Sequence, residues 1–131
     1  MNKMMTLYEV LGREAGLRKL VDRFYDLMET EEIARTILAL HPPDLTDSRE
    51  KTYLFLVGWS GGPPVYIQKY GHPRLRARHL PFAIDSAARD AWMHCMSKAL
   101  REQLPDPDVC EQIEAGFWRL ASHMRNTPDT D

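Results

Sequence analysis

The chain carries five histidines, His41, His72, His79, His94 and His123, the side chains best suited to metal binding and proton transfer near neutral pH. No two of them stand four apart as a zinc clamp, and neither HExxH nor CxxC occurs. A structural or catalytic zinc site is therefore unsupported. Without a CxxCH run there is also no point of covalent attachment for a c-type haem. His79 has the most informative surroundings, in the run Gly71-His72-Pro73-Arg74-Leu75-Arg76-Ala77-Arg78-His79-Leu80-Pro81-Phe82. Pro81 closes the short helix that His79 ends. Unpaired carbonyls in a last helical turn accept a proton from one ring nitrogen. The other nitrogen is then free as a neutral metal ligand. A plainer reading is a histidine that favours the helix dipole beside the solvated Arg74, Arg76 and Arg78.

Other candidates have plain roles beside their chemical ones. Tyr25 lies on an apolar helical stripe, where it packs, yet a phenol facing a cavity is a good donor. Trp92 is also on a stripe, and its indole N–H needs a partner if buried. Thr52 interrupts an apolar row and could bond back to its own helix. His41 precedes Pro42-Pro43 and reads as a surface turn. Cys95 and Cys110 read as buried thiols. No phosphate loop or serine nucleophile elbow occurs: Gly61-Gly62-Pro63-Pro64 lacks the required spacing.

The elements that must position these groups are helical. Leu17, Leu20, Val21, Phe24, Tyr25 and Met28 recur at helical spacing. A short helix over Thr6 to Leu11 ends at Gly12, and Gly16 follows closely, so the turn between the two must be tight. Glu31 to Leu40 is a weaker helical stretch that stops at Pro42-Pro43. Asp47-Ser48-Arg49-Glu50 has capping-box spacing and predicts the start of a helix carrying Thr52, Phe55, Leu56 and Trp59. Gly61-Gly62-Pro63-Pro64 breaks it. Val65 to Gly71 reads as loop with at most a turn of helix. His72-Pro73 predicts a helix with Pro in its first turn. Asp85 or Ser86 caps a helix with Ala88, Trp92, Cys95, Met96 and Ala99. Pro105 and Pro107 interrupt before a last helix with Val109, Ile113, Phe117, Leu120 and Met124. The polar tail from Asn126 is expected to fray. No segment alternates as a strand. The expectation is an all-α single domain over residues 1–131 with five or six helices.

At 131 residues the chain has one domain's worth of core. Lys+Arg is 17 and Asp+Glu is 19, a net charge of −2, which argues against a nucleic-acid binder driven by phosphate contacts. No apolar run approaches the roughly 20 residues of a membrane span. The start, Met1-Asn2-Lys3-Met4-Met5-Thr6, lacks a signal-peptide pattern. Two cysteines make no disulfide scaffold, and a cytoplasmic location is expected. So short a chain has little core to spare, and any site must share it.

The run Gly71 to Phe82, followed by Asp90-Ala91-Trp92, resembles the group II truncated haemoglobins. So do Phe24-Tyr25, Tyr53-Leu54-Phe55-Leu56 and Gly61-Gly62-Pro63-Pro64, and the resemblance runs from about Leu7 to Met124. It implies a truncated globin fold, a two-over-two helical sandwich around non-covalent haem b. His79 is then the proximal iron ligand. Tyr25, Trp92, His41, Ser48 and Thr52 fall on the distal, ligand-stabilising positions. Ordinary globins usually have a distal histidine where this chain has Ser48, which is too short to reach far. That departure shifts the distal work to Tyr25, Trp92 and His41. Arg78 resembles the partner of a haem propionate, and Phe55, Leu75, Phe82, Ile84 and Met96 fall at haem-packing positions. A porphyrin supplies most of the iron's ligands, so one histidine suffices, and the apolar cofactor can itself serve as core. The implied function is binding of O2, NO or CO at a pentacoordinate iron, with slow O2 release. The alternatives are a haem redox enzyme (NO dioxygenase or peroxidase-like) fed by a reductase, or a haem-free helical module. A monomer or homodimer is expected, with no nucleic-acid or membrane partner.

Overall fold

The structure is a computed structural model that describes residues 5–129. Met1 to Met4, part of the segment read above for a signal sequence, and Thr130-Asp131 lie outside the described residues. Helix α1 (Leu7–Val10) is opened by a reciprocal cap: the Glu9 amide donates to Thr6 Oγ1 at 3.1 Å, and the Thr6 amide to Glu9 Oε1 at 3.1 Å. Gly12 then turns the chain with φ at +90°. A Cβ on Gly16 would stand 1.8 Å from the Leu11 carbonyl oxygen. The tight turn expected from these two glycines is thus required by contact. It leads into α2 (Arg13–Thr30), whose stripe from Leu17 to Met28 is buried as its spacing predicts.

The expected helix from Glu31 to Leu40 is divided into a 3-10 turn (Glu32–Ala34) and α3 (Arg35–Leu38). Helix α4 (Thr46–Trp59) starts ahead of the predicted capping box. Asp44 Oδ1 accepts from the Thr46 amide at 2.9 Å, and Asp47, already in the first turn, pairs with Lys51 at 3.0 Å. The segment read as loop is α5 (Val65–Tyr70), with Tyr66 buried. Pro64 precedes it with no N–H to satisfy. Helix α6 (Leu75–His79) starts later than His72-Pro73, because Arg74 is left-handed with φ at +46°. Asp85 Oδ1 caps α7 (Ser86–Gln103) through the Ala88 amide at 2.9 Å, and Asp106 caps α8 (Pro107–His123) with Pro107 in its first turn.

The described residues therefore contain eight α-helices and one 3-10 turn, and no strand. The excess over five or six comes from four- to six-residue helices. Helix α2 packs on α4 and α7, and α7 packs on α8. These two pairs, α2 with α4 and α7 with α8, are the two-over-two sandwich. One apolar cluster joins them, with Phe24, Met96, Leu100 and Phe117 fully buried. Trp59 stacks on Phe117 with ring centroids 4.8 Å apart. On the outside, the Arg49 guanidinium ties α4 to α2 by donating to the Asp22 carbonyl at 2.9 Å, Asp26 Oδ1 at 2.8 Å and Glu29 Oε1 at 3.0 Å. No helix of the described residues is long and apolar enough to cross a membrane.

The tail departs from expectation. Asn126 to Asp129 is held rather than frayed. The Asn126 and Thr127 amides donate to the Ile84 carbonyl at 2.9 and 3.2 Å, and Asp129 accepts from the Ser86 amide at 2.8 Å.

Candidate functional site

Between α4, α6, α7 and the end of α8 lies a cavity of about 410 Å³. His79 ends α6 and lines it. Its Nδ1 is 2.6 Å from the Leu75 carbonyl oxygen, one turn back. A carbonyl oxygen only accepts, so Nδ1 carries the proton and Nε2 presents its lone pair. This is the arrangement of a neutral imidazole ligand, with orientation and tautomer fixed by its own helix. Arg78, the preceding residue, lines the same cavity and is exposed. Among the described residues its side chain has no carboxylate or hydrogen-bond partner.

Tyr25 comes from α2 and is 4% exposed. Its hydroxyl lies 2.8 Å from Thr52 Oγ1, so Thr52 faces Tyr25 and not the carbonyls of its own helix. Burial pushes the Tyr25 phenol above its ordinary value; the Thr52 bond and the Arg49 charge offset this only in part. The phenol therefore stays protonated, and a donor, through neutral and mildly alkaline pH. His41 meets Tyr25 edge to face, with ring centroids 5.9 Å apart. His41 Nδ1 is 2.8 Å from the Ile37 carbonyl oxygen. By the same argument, neutral His41 is left with an accepting Nε2, not a donor. Trp92 packs against Phe24 at 5.2 Å and Phe117 at 5.8 Å. Among the described residues its indole N–H has no acceptor, and Trp92 lines the cavity.

Thr52→Val should leave the buried phenol one partner short. Two effects are expected. Stability in urea falls by about 1 kcal/mol, and the Tyr25 pKa rises further, because the lost bond is one that lowers it. Alkaline difference absorbance, with Tyr25→Phe as the assignment control, reads the second effect. A group with a raised folded-state pKa gives stability that is intact below its unfolded value and lost as pH rises through the folded one. The alkaline unfolding limb should therefore move with the titration.

The cavity brings together most of the predicted residues. Ser48, Phe55, Leu75, Phe82 and Ile84 join those described above on its wall. Met96 does not. It lies one turn past Trp92 on α7 and is fully buried in the apolar cluster. Cys95 and Cys110 are buried and reduced, and burial pushes the Cys95 thiol up to about 11, which keeps it unreactive. Several wall residues escaped the sequence reading, Lys51, Tyr66, Leu120 and Met124 among them. Lys51 was findable: Ser48, Lys51, Thr52 and Phe55 share one helical face by spacing. Tyr66 was hidden by reading its helix as loop.

Among the described residues no group of three His, Cys, Asp or Glu side chains could hold a bare metal ion. One oriented imidazole fits an iron whose other ligands come from a macrocycle. The apolar walls and the free guanidinium at one edge fit a flat apolar ring with acidic side chains. Paired helices around a cavity lined by an oriented imidazole, a phenol and an indole are consistent with a globin. The chain belongs to the bacterial-like globin family, which matches residues 6–126, and the proteins it resembles include group II truncated haemoglobins. It is 44% identical to the group II 2-on-2 haemoglobin of Agrobacterium tumefaciens, with a TM-score of 0.90 over 98% of each chain. It is 46% identical to the cold-adapted truncated haemoglobin of Pseudoalteromonas haloplanktis TAC125, with a TM-score of 0.89 over 94% of this chain and 99% of that one. A truncated oxygen-avid haemoglobin of Bacillus subtilis is 38% identical, with a TM-score of 0.81 over 93% of this chain and all (100%) of that one. The family implies haem and the binding of a diatomic ligand such as O2.

Proposed function

We propose that the chain, as a single domain, binds haem b non-covalently through His79 Nε2 and holds O2 tightly under Tyr25, Trp92 and Thr52. The observation that carries this reading is the 2.6 Å Nδ1 contact to the Leu75 carbonyl, which presents Nε2 as a lone pair at the cavity wall. When bound, the haem iron supplies reversible coordination of O2, NO or CO. The chain's own residues do the rest. His79 would hold the iron through Nε2. Arg78, with Lys51 on the cavity wall from α4, provides positive charge for propionates. Phe55, Leu75, Phe82 and Ile84 exclude water. Tyr25 O–H and Trp92 N–H donate to a ligand that carries partial negative charge, which slows its release. The similarity to an oxygen-avid relative supports the tight-holding side of this reading.

Titrating the purified protein with haemin tests the reading. One equivalent should give a sharp Soret band, and the reduced, ligand-free protein should have a five-coordinate spectrum. Loss of the haem on a desalting column would overturn it.

The accepting Nε2 of His41, beside the Tyr25 phenol, favours a second reading. A distal base can take a proton from a peroxide, as peroxidase-like reduction to water requires. NO dioxygenation, with NO and O2 leaving as nitrate, is the other redox use of the same pocket. Both consume electrons that a reductase partner must restore. Stopped-flow mixing of the oxygenated protein with NO separates these uses from simple holding. A cytoplasmic monomer or homodimer suits all of them.

A further inference from the structure

Helix α6 carries His79, yet none of its five residues is buried. It follows a left-handed Arg74, with φ at +46°, and Gly71, with φ at +81°. Neither packing nor a strong N-terminal cap fixes where it sits. Its tertiary hydrogen bonds run instead to the last turn of α8 and the residues just past it. Arg76 Nη1 donates to the carbonyls of His123 and Arg125, each at 2.9 Å. Asn126 Nδ2 donates to the His79 carbonyl at 3.0 Å and to the Phe82 carbonyl at 2.9 Å. Asn126 Oδ1 accepts from the Ile84 amide at 2.9 Å, and the Asn126 amide donates to the Ile84 carbonyl at 2.9 Å.

One side chain thus holds three backbone groups of the turn from His79 to Ile84, including the carbonyl of His79 itself. Asparagine suits this: its amide offers two donors and an acceptor in one plane. Asp in its place would keep the acceptor but set a carboxylate oxygen against two carbonyls.

We infer that Asn126 is a positioning residue for His79, fixing the main chain that carries the imidazole and so the strain on its bond to iron. The inference rests on His79 being the iron ligand. Asn126 touches neither cofactor nor diatomic ligand; it acts through the turn. The segment beyond α8 thereby becomes part of the proximal site, although it lies 47 residues from the ligand in sequence.

The test uses the full chain loaded with haem, as wild type, Asn126→Ala, Asn126→Asp and Asp129→Ala. Asp129 belongs to the same tail but binds Ser86 at the start of α7, through its amide at 2.8 Å and its hydroxyl at 3.0 Å. It reports what loosening the tail does without touching the turn. Three quantities are read: the iron–histidine stretching band of the reduced protein by resonance Raman, the rate of haem transfer to an excess apoglobin scavenger, and the thermal midpoint of the apoprotein. Both Asn126 variants should shift the stretching band and speed haem loss by about tenfold, the change that roughly 1.4 kcal/mol makes. Asp129→Ala should lower the midpoint alone. An unshifted band with unchanged haem loss in either folded Asn126 variant overturns the inference, as does an equal shift in Asp129→Ala. If Asn126→Ala does not fold, Asn126→Asp, which retains the Ile84 bond, decides. A wild type with no iron–histidine band would instead refute His79 as the ligand, so the two failures are distinct.

Discussion

Replacing His79 with glycine is expected to abolish stable haem retention. The imidazole lines the cavity with a lone pair fixed in place, since its Nδ1 proton is committed to the Leu75 carbonyl at 2.6 Å. If His79 holds the haem iron as proposed, its removal deletes a coordinate bond, which outweighs any single hydrogen bond of about 1–3 kcal/mol. Retention should therefore fall by more than about 100-fold. The void left behind is the size of the lost ring, so free imidazole should enter it and restore much of the five-coordinate spectrum. Helix α6 buries no residue, and the apoprotein should keep its circular dichroism and its fold. The measurements are the Soret band after gel filtration, with and without millimolar imidazole. A variant that holds haem as well as wild type would move the ligand elsewhere.

The long elements were legible because they span several turns. Helix α2 shows its period over three of them, and every stripe residue from Leu17 to Met28 is buried. The short ones were not. Val65 to Tyr70 is too brief for a period to emerge, and its neighbours Gly61-Gly62-Pro63-Pro64 read as loop. Capping signals also compete locally. Asp47 has capping-box spacing, yet α4 opens at Thr46 after Leu45 with no side-chain cap, while Asp44 accepts from the Thr46 amide in the turn before it. Pro73 has the right chemistry for a first helical turn, but the left-handed Arg74 after it forbids that. The tail failed for a different reason. Asn126 reads as polar, and a polar residue at a chain end reads as frayed; its three backbone partners lie more than 40 residues away in sequence.

The site divides in the same way. Residue types were legible from the histidine's setting, the helical stripes and the family resemblance. Roles were not, because they depend on which atom each proton faces. Thr52 could have bonded to its own helix, and instead meets Tyr25. The resemblance put His41 among the ligand-stabilising positions without saying whether it donates, and its Nδ1 contact makes it an acceptor when neutral. Met96 shares a helical face with Trp92, but the cavity ends before reaching it. A face fixes direction, while depth along the helix is a tertiary property.

O2 release should be fastest where Tyr25 and Trp92 are both gone. Each carries one O–H or N–H at the cavity wall, and a hydrogen bond from it to a charged acceptor would contribute about 1.5–3 kcal/mol. Tyr25→Phe or Trp92→Leu alone should then raise the O2 dissociation rate by about 10- to 100-fold, and the double variant by about 10²–10⁴-fold if the donors act independently. Independence is itself measurable. The Tyr25 proton has two destinations, Thr52 Oγ1 at 2.8 Å and a ligand in the cavity. If Thr52 donates to the phenol, Tyr25 is free to donate onward, and the two hydroxyls reinforce each other. If Tyr25 donates to Thr52, only Trp92 faces the ligand, and Tyr25→Phe should change the rate little. The pair of single variants and the double variant form a cycle that separates these cases. The dissociation rate is read by displacing O2 with excess CO. An unchanged rate in Trp92→Leu would show that its N–H points away from the ligand, and would leave the phenol to hold O2 alone.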